Sequence, residues 1–345
     1  LRLVRRGRAE RGEAALTAVL VVVALAFAVS LGAHYTGACM GMPYALGAVS
    51  AWRALVVMAP LTLLGAAFAS HAVERTVADR FTTHLLGVDA EIVVVGVALA
   101  VTALYNRLRV PTSTIQILVF SLAGTALGAG VGVRWGTVGV LAAIWVAAPL
   151  VAFGLGFCLT VALDRVPLVR REIEAEAPAA GARPAPTSAL LAGALVAVGG
   201  AASFTMGSND VANASGALVA THTFSPLVAG TLGGTAMAFG VLSWGRPLLE
   251  RVAFDIVVLD RPMATAAQAV QAVVVLLAVG FGFFTSMNQA LVGAMAGTGA
   301  ARGRQAVHLS TLVGILRGWL LGPAAGIGVA FAVSRLVVAG GVHLR

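Results

Sequence analysis

Charged residues are scarce in this chain, and lysine is absent. Asp, Glu, Lys and Arg together make up 11% of the 345 residues, whereas soluble domains carry about 25%, so the composition excludes an ordinary soluble domain. Hydrophobic residues reach 59%, with a mean hydropathy of +0.95. Because a transmembrane helix needs about 20 apolar residues, the apolar segments predict roughly ten to twelve membrane-embedded pieces. We therefore expect an all-α polytopic protein of the cell membrane.

Cysteine is nearly absent too. The chain has two, Cys39 and Cys158, and both lie in apolar segments, which predicts neither a disulfide framework nor a metal site. The formal charge of +9 comes from arginines in short loops, without a continuous basic face or interleaved aromatic residues. Nucleic acid is therefore not an expected partner, and orienting the loops in the membrane is the simpler use of these charges.

Residue sets typical of catalysis are also missing. We find neither a nucleophile with a base nor metal ligands at catalytic spacing, so neither an enzyme nor a cofactor is expected. A channel requires a continuous pore lined by rings of charge or of carbonyl groups. The chain has two related halves whose polar residues differ, and this asymmetry argues against a channel.

The two halves resemble each other over most of their length. Trp145 and Trp319 belong to a series of paired landmarks that keep one spacing to within two residues. We predict two pseudo-symmetric repeats, residues 1–163 and 189–345, joined by a polar linker loop at 164–188. Transporters built in this way bind their substrate near the midplane, at broken helices where the repeats meet. If each repeat crosses the membrane an odd number of times, the repeats are inverted.

A polar cluster interrupts the apolar sequence of the second half. Residues 207–214 read GSNDVANA, and Asn213 follows Asn209 by four positions and Asp210 by three, which places the three side chains together on a helix. A carboxylate at bilayer depth is energetically expensive and is therefore a candidate functional group. Carboxylate and amide oxygens suit a hard cation such as sodium. The alternative is a hydrogen-bonded contact between helices.

Hydroxyl and amide side chains recur at matching positions of the two halves, in the runs PTSTIQ at 111–116 and FTSMNQ at 284–289. A helix N-terminus presents unpaired N–H groups and the positive end of a dipole, and nearby hydroxyls add neutral donors for a tetrahedral oxyanion. The alternative is N-capping, in which Ser and Thr satisfy only the donors of the helix end. Occurrence in both halves favours a substrate site. Its candidate residues are Thr112, Ser113, Thr114, Gln116, Thr285, Ser286, Asn288 and Gln289.

The cluster at 207–214 resembles the signature GANDVANA of the PiT (inorganic phosphate transporter) family, with Ser208 in second place, and the two runs resemble that family's PVSTTH motif. The resemblance implies re-entrant hairpins whose tips hold the substrate. It implies a secondary transporter that imports inorganic phosphate in symport with sodium or protons, as a homodimer surrounded by membrane lipid. Asn209, Asp210 and Asn213 would then hold the coupling cation, and no other cofactor is expected.

The first half departs from the family pattern. His34, Tyr35 and Ala38 occupy the positions that carry the polar cluster in the second half, which is similar to the sulfate-permease branch of the same superfamily. His34 is a candidate proton site, because imidazole titrates near neutral pH. The alternative is that His34 and Tyr35 fill the place of a site that has been lost.

The identity of the anion stays open at this point. Sulfate is fully deprotonated at neutral pH, whereas phosphate carries a proton that needs an acceptor. Gln116 and Gln289, which stand where the family motif ends in His, and Asn288 offer such acceptors. Phosphate is the leading interpretation, and sulfate is the alternative.

Overall fold

The computed structural model of the chain describes residues 2–108, 112–176, 189–250, 259–303, 309–342 and 344. Within these ranges the chain forms helices and no strand, apart from an isolated bridge between Thr82 and Val133. The prediction of an all-α membrane protein is confirmed. The helices are α1 (Arg2–His34), α2 (Thr36–Ala45), α3 (Ala51–Ala69), α4 (His71–Asp79), α5 (Val88–Leu108), α6 (Thr114–Gly128), α7 (Trp135–Leu163), α8 (Pro167–Glu176), α9 (Ala189–Asp210), α10 (Ala212–Ala220), α11 (Pro226–Leu249), α12 (Arg261–Gly280), α13 (Met287–Ala301) and α14 (Leu309–Ala339).

Eight stretches of the described chain are long and apolar enough to cross a membrane. Two of them span a pair of helices: Arg11–Ala45 contains α1 from Arg11 onward and α2, and Ala189–Ala220 contains α9 and α10. Helix α6 has 15 residues, so it extends about 22 Å and is too short for a hydrocarbon core of about 30 Å. Helix α13 has the same length. Some apolar segments that the sequence suggests as separate pieces therefore form one membrane span together. Others are too short to cross the membrane.

Two spans are each interrupted by a single residue. Tyr35 separates α1 from α2, and Val211 separates α9 from α10. Val211 keeps helical dihedral angles, with φ −59° and ψ −35°, so the chain continues in nearly the same direction. The expected broken helices are therefore slight interruptions, and the second lies inside the run GSNDVANA.

Helices of the two halves pack against each other in an exchanged arrangement. Helix α6 packs mainly against α14 and α13 mainly against α7, while α9 packs against α3 and α1 against α11. Glycine permits the closest of these contacts. A Cβ on Gly293 of α13 would lie 2.2 Å from the carbonyl oxygen of Pro149 in α7, and one on Gly297 would lie 2.0 Å from that of Phe153. Small residues let helix backbones touch in this way, and α13 is thereby held directly against α7.

Ionic contacts join the ends of three helices. Arg302, which follows α13, contacts Asp164 after α7 at 2.8 Å and Asp260 before α12 at 3.1 Å. Asp260 also caps α12 by accepting a 2.8 Å hydrogen bond from the Met263 N–H. One arginine therefore ties the C-terminal end of α13 to both α7 and α12.

Part of the predicted linker loop is helical. Residues Pro167–Glu176 form α8, which corrects the prediction of a loop across 164–188. Proline suits the first helical position, and the Leu, Arg and Glu residues that follow favour a helix. Residues 177–188 lie outside the described residues. The boundaries of the two repeats, and their inversion, stay predictions.

Candidate functional site

The predicted site residues come together inside the helix bundle. Asn209 and Asp210 are fully buried and Asn213 is 1% exposed. Asn288 and His34 are half-buried. Buried polar groups are normally hydrogen-bonded, so each of these side chains requires a partner. The other buried members are Thr112, Ser113, Thr114, Gln116, Thr285, Ser286 and Gln289.

We call residues 112–116, at the start of α6, the first tip and residues 284–289, at the start of α13, the second tip. Asn209 holds the backbone of the second tip. Its side-chain Nδ2 donates to the Thr285 carbonyl oxygen at 2.8 Å, and its Oδ1 accepts from the Thr285 N–H at 3.1 Å. Nδ2 also donates to Oδ2 of Asp210 at 3.1 Å. The Asn209 oxygen thus already accepts one hydrogen bond and has only its second lone pair for a cation. Asn209 positions the tip as well as the carboxyl group.

Asp210 and Asn213 carry oxygens without a partner. Oδ1 of Asp210 and Oδ1 of Asn213 are buried and make no hydrogen bond within the part of the chain that the structure describes. Leaving such oxygens buried and unpaired is energetically costly. Both are hard oxygen ligands, on either side of the interruption between α9 and α10, and this donor chemistry fits a hard cation. These residues thus fit the cation site expected from the sequence.

Both tips begin with a capping serine. Ser113 precedes α6 and accepts from the Gln116 N–H at 3.4 Å, and Ser286 precedes α13 and accepts from the Gln289 N–H at 3.3 Å. The N-capping interpretation is therefore correct for both serines. Capping uses only the oxygen as acceptor, so each hydroxyl proton stays available to a ligand. Capping and anion binding are compatible at these positions.

The two tips meet each other and the polar cluster. Nδ2 of Asn288 at the second tip donates to the Thr112 carbonyl oxygen of the first tip at 3.3 Å. Nδ2 of Asn213 donates to Oγ1 of Thr114 at 3.2 Å. Because Asn209 holds Thr285 in turn, the helices α9 and α10 contact both tips. The structure thus brings together the two runs and the polar cluster that the family resemblance assigns to one site.

Tyr35 belongs to the site, although sequence reasoning treated it only as the filling of a lost position. Its side chain is 1% exposed, and its hydroxyl oxygen lies 2.7 Å from Oγ1 of Thr114. The hydroxyl also interacts with the carboxyl group of Asp210. A polar chain therefore runs from Asn213 through Thr114 and Tyr35 to Asp210. The signal in the sequence was the position of Tyr35, which matches that of Asp210 in the internal repeat.

His34 connects the second tip to α5. Its Nδ1 lies 2.6 Å from Oδ1 of Asn106, and its Nε2 lies 3.5 Å from Nδ2 of Asn288. Since an amide oxygen accepts and an amide nitrogen donates, these partners assign the proton to Nδ1 and the acceptor role to Nε2. The ring packs edge-on against Tyr35 at 4.7 Å between centroids. Nothing in the sequence pattern had marked Asn106 as a partner.

Amide and hydroxyl oxygens at the tips add unpaired acceptors. Oε1 of Gln116 and Oε1 of Gln289, each in the first turn of its helix, are buried without a hydrogen-bond partner among the described residues. The same is true of Oγ1 in Thr112 and Thr285. A hydroxyl donates as well as accepts, whereas an amide oxygen only accepts. The tips therefore offer both donors and acceptors to a ligand.

Two residues outside the predicted set support the second tip from behind. Trp145 of α7 donates from Nε1 to the Phe284 carbonyl oxygen at 3.3 Å. Gln271 of α12 is fully buried and donates from Nε2 to the Met287 carbonyl oxygen at 3.4 Å. Sequence reasoning used Trp145 only as a landmark of the repeat, because a side chain's partner across the bundle is not visible in its own segment.

The chain is similar to known proteins in both sequence and fold. A model of the phosphate transporter family matches residues 31–330. The sulfate permease CysP of Bacillus subtilis (strain 168) is 25% identical over 323 residues, which cover 92% of this chain and 86% of that protein. A "probable low-affinity inorganic phosphate transporter" of Mycobacterium tuberculosis (strain ATCC 25618 / H37Rv) is 28% identical over 333 residues, which cover 94% and 79%. A solved structure titled "The sodium-dependent phosphate transporter" superposes with a TM-score of 0.79, over 94% of this chain and 99% of that one; at 21% identity it establishes the fold.

Proposed function

The chain belongs to the phosphate transporter family, and on this basis we propose that it imports inorganic phosphate across the cell membrane in symport with sodium ions or protons. As a member of this family it is a multi-pass membrane transporter and not an enzyme. Assembly as a homodimer is a further part of the proposal, implied by the family resemblance.

The observation that carries the proposal is the meeting of two buried helix N-termini beside one buried carboxyl group. Ser113 and Ser286 cap the two helices and keep their hydroxyl protons for an anion. The helix dipoles add positive potential at the same place. Thr112, Thr114 and Thr285 extend this set of neutral donors. An anion held without a basic side chain is easily released, which suits transport.

The coupling cation would bind at Asp210 and Asn213, with Asn209 as a third ligand through its second lone pair. The unpaired Oδ1 atoms of Asp210 and Asn213 support this assignment. Sodium would be held by all three residues, whereas a proton would bind to the Asp210 carboxyl group itself. His34 is the second candidate for a coupling proton, because its contact with Asn288 links it to the anion site.

Phosphate is favoured over sulfate by the acceptors at the tips. Phosphate at neutral pH carries a proton and can donate it to the unpaired Oε1 of Gln116 or of Gln289. Sulfate has no proton to donate, so buried acceptors facing it would be left unpaired, at a cost of about 1–3 kcal/mol each. Sulfate remains the second candidate, because the sulfate permease aligns with 92% of this chain.

Uptake into proteoliposomes tests the proposal. Labelled phosphate and labelled sulfate are offered separately under an inward sodium gradient, an inward proton gradient, or neither. We expect gradient-driven uptake of phosphate that excess unlabelled sulfate inhibits only weakly. If excess phosphate does not inhibit sulfate uptake, sulfate and not phosphate is the substrate. Uptake of either anion that is independent of both gradients would overturn symport.

A further inference from the structure

A buried carboxyl group outside the site described above has no role in the proposed mechanism. Glu74 of α4 is fully buried, and α4 lies outside the eight membrane-spanning stretches. Its Oε1 accepts a 2.5 Å hydrogen bond from the Ser215 hydroxyl of α10. Its Oε2 is buried and has no hydrogen-bond partner within the described ranges. A carboxylate with one bare oxygen in such a place is unstable unless it binds a cation or a proton.

The space around Glu74 suits a proton better than a metal ion. On the side of α11, a Cβ on Gly230 would lie 3.1 Å from Oε1, so the glycine leaves only enough room for the carboxyl group. The hydroxyl of Ser70, the residue before α4, donates to the Ala66 carbonyl oxygen at 2.6 Å. A metal ion would need several more oxygen ligands, whereas a proton needs none.

The charged groups on the neighbouring elements either have partners elsewhere or are exposed. Helix α10 contains no titratable residue. In α11, Arg246 pairs with Glu250, and in α12, Arg261 donates to the Leu46 carbonyl oxygen. The remaining titratable residues nearby are Arg53 of α3 and His71, Arg75 and Asp79 of α4 itself. Of these, His71 contacts the Ala67 carbonyl oxygen. The side chains of Arg53, Arg75 and Asp79 are exposed. Burial is therefore the main influence on Glu74, and it raises the pKa of this carboxyl group to about 7.

Ser215 links Glu74 to the interruption between α9 and α10. Its hydroxyl oxygen lies 2.5 Å from Oε1 of Glu74 and 3.0 Å from the carbonyl oxygen of Val211, the residue that follows Asp210. A serine hydroxyl has one proton and can donate to only one of these acceptors. When Glu74 is ionised, the charge-assisted bond to Glu74 is the stronger. When Glu74 is protonated, it can donate to Ser215, whose own proton then turns to Val211.

We propose that Glu74 is a proton-binding site whose occupancy is transmitted through Ser215 to the backbone at Val211, and so to the cation and anion site. Ser215 lies on the same helix as Asn213, which donates to Thr114 at the first tip. Protonation of Glu74 therefore changes how the first turn of α10 is held while Asn213 contacts the substrate-binding tip. By linkage, a proton that alters ligand binding here is itself bound differently when the ligand is present.

Infrared difference spectroscopy tests the proton site without any transport measurement. Purified protein in lipid is titrated from alkaline to acidic buffer, and the C=O stretch of newly protonated carboxyl groups is recorded. Because Asp210 and Glu91 are also buried carboxyl groups, the spectrum is resolved into components. We expect one band that titrates near neutral pH in the wild type and is lost in Glu74→Gln. Glu91→Gln, a variant of a second buried carboxyl group in α5, is the matched control and should keep the band. An identical titration in wild type and Glu74→Gln would overturn the proposal.

The transport arm rests on the proposed function and measures the link to the substrate site. Uptake of the transported anion is recorded across the same pH range, and each variant is expressed as a ratio to wild type, so that titration of phosphate itself cancels. We expect loss of the pH dependence that crosses neutrality in both Glu74→Gln and Ser215→Ala, with the carboxyl band retained in Ser215→Ala. Wild-type pH dependence in Ser215→Ala would disprove the relay. If wild type takes up neither anion, the proposed function fails, and the infrared arm still decides the proton site.

Discussion

Asn209 and the backbone of Thr285 exchange two hydrogen bonds, at 2.8 Å and 3.1 Å, and thereby join the polar cluster of α9 to the tip that precedes α13. The same Asn209 side chain donates to Asp210. A cation that draws the Asp210 carboxyl group toward it therefore acts on the second tip through one intervening residue. This contact connects the proposed cation and anion sites, as does the hydrogen bond from Asn213 to Thr114.

Removal of the Asp210 charge should stop coupled transport. Asp210→Asn keeps the shape and burial of the side chain but removes the negative charge that a coupling cation neutralises. We expect the variant to fold and to lose gradient-driven uptake, as measured in proteoliposomes beside gel filtration of the purified protein. Glu91→Gln serves as the control for loss of a buried carboxyl group elsewhere. Wild-type uptake by Asp210→Asn would remove this residue from the cation site.

The two capping serines should contribute to anion affinity. Loss of a cap costs about 1 kcal/mol when Ser becomes Ala but only a few tenths when it becomes Gly. We expect the double variant Ser113→Gly with Ser286→Gly to stay nearly as stable as wild type and to show a raised KM for the anion, because both hydroxyl donors are gone.

The matched control for these serines is Ser113→Thr with Ser286→Thr, which keeps both cap and hydroxyl. Its KM should stay close to that of wild type. If the glycine pair leaves the KM unchanged, the serines act as caps only, and the substrate site lies elsewhere.

The pairing of Asn209 with Thr285 should be visible in stability as well as in transport. Asn209→Ala leaves a buried N–H and a buried C=O without partners, and each such group costs about 1–3 kcal/mol. We expect a lowered unfolding temperature in detergent together with reduced uptake. The control Asn288→Ala, at a half-buried position, should lower stability less. Equal stability of Asn209→Ala and wild type would contradict the pairing seen in the structure.

The Tyr35 hydroxyl should matter more for transport than for folding. Tyr35→Phe keeps the buried ring and its contact with His34 but removes the hydroxyl between Thr114 and Asp210. One hydrogen bond is worth about 1 kcal/mol, so the fold should persist, while the maximal uptake rate falls because the polar chain between cation and anion sites is cut. Tyr44→Phe in α2 is the matched control. Equal rates for Tyr35→Phe and Tyr44→Phe would exclude a role for the Tyr35 hydroxyl.

Glu74 should make stability depend on pH. Its pKa rises from 4.5 to about 7 on burial, so between these values the folded state binds a proton that the unfolded state has released. The contribution of Glu74 to stability is then full below pH 4.5 and is lost as pH rises through about 7, by roughly 3 kcal/mol at most. Thermal unfolding of wild type and Glu74→Gln across this range measures the effect. The variant should gain relative stability toward alkaline pH, and parallel curves for the two proteins would refute the prediction.

Fold class and the main site residues were accessible to sequence reasoning because both leave local signals. Apolar runs of membrane length predict helices wherever they occur, and a polar cluster such as Asn209, Asp210 and Asn213 is conspicuous inside one. The repeated runs at the two tips drew attention to Ser113 and Ser286 as a pair. The helical segment of the predicted linker was missed, because its charged residues are compatible with both a loop and an exposed helix.

The sequence by itself determined which chemical groups lie within membrane-length apolar segments, because the hydropathy and length of a segment decide whether it enters the membrane. Polar residues within such a segment stand out. Only the tertiary structure decided which of these groups touch. The pairing of Asn209 with Thr285, the place of Tyr35 between Thr114 and Asp210, and the contact of Glu74 with Ser215 all join residues more than seventy positions apart. Such contacts depend on the packing of helices against one another, in which glycine-lined surfaces bring distant backbones together, and no local pattern specifies them.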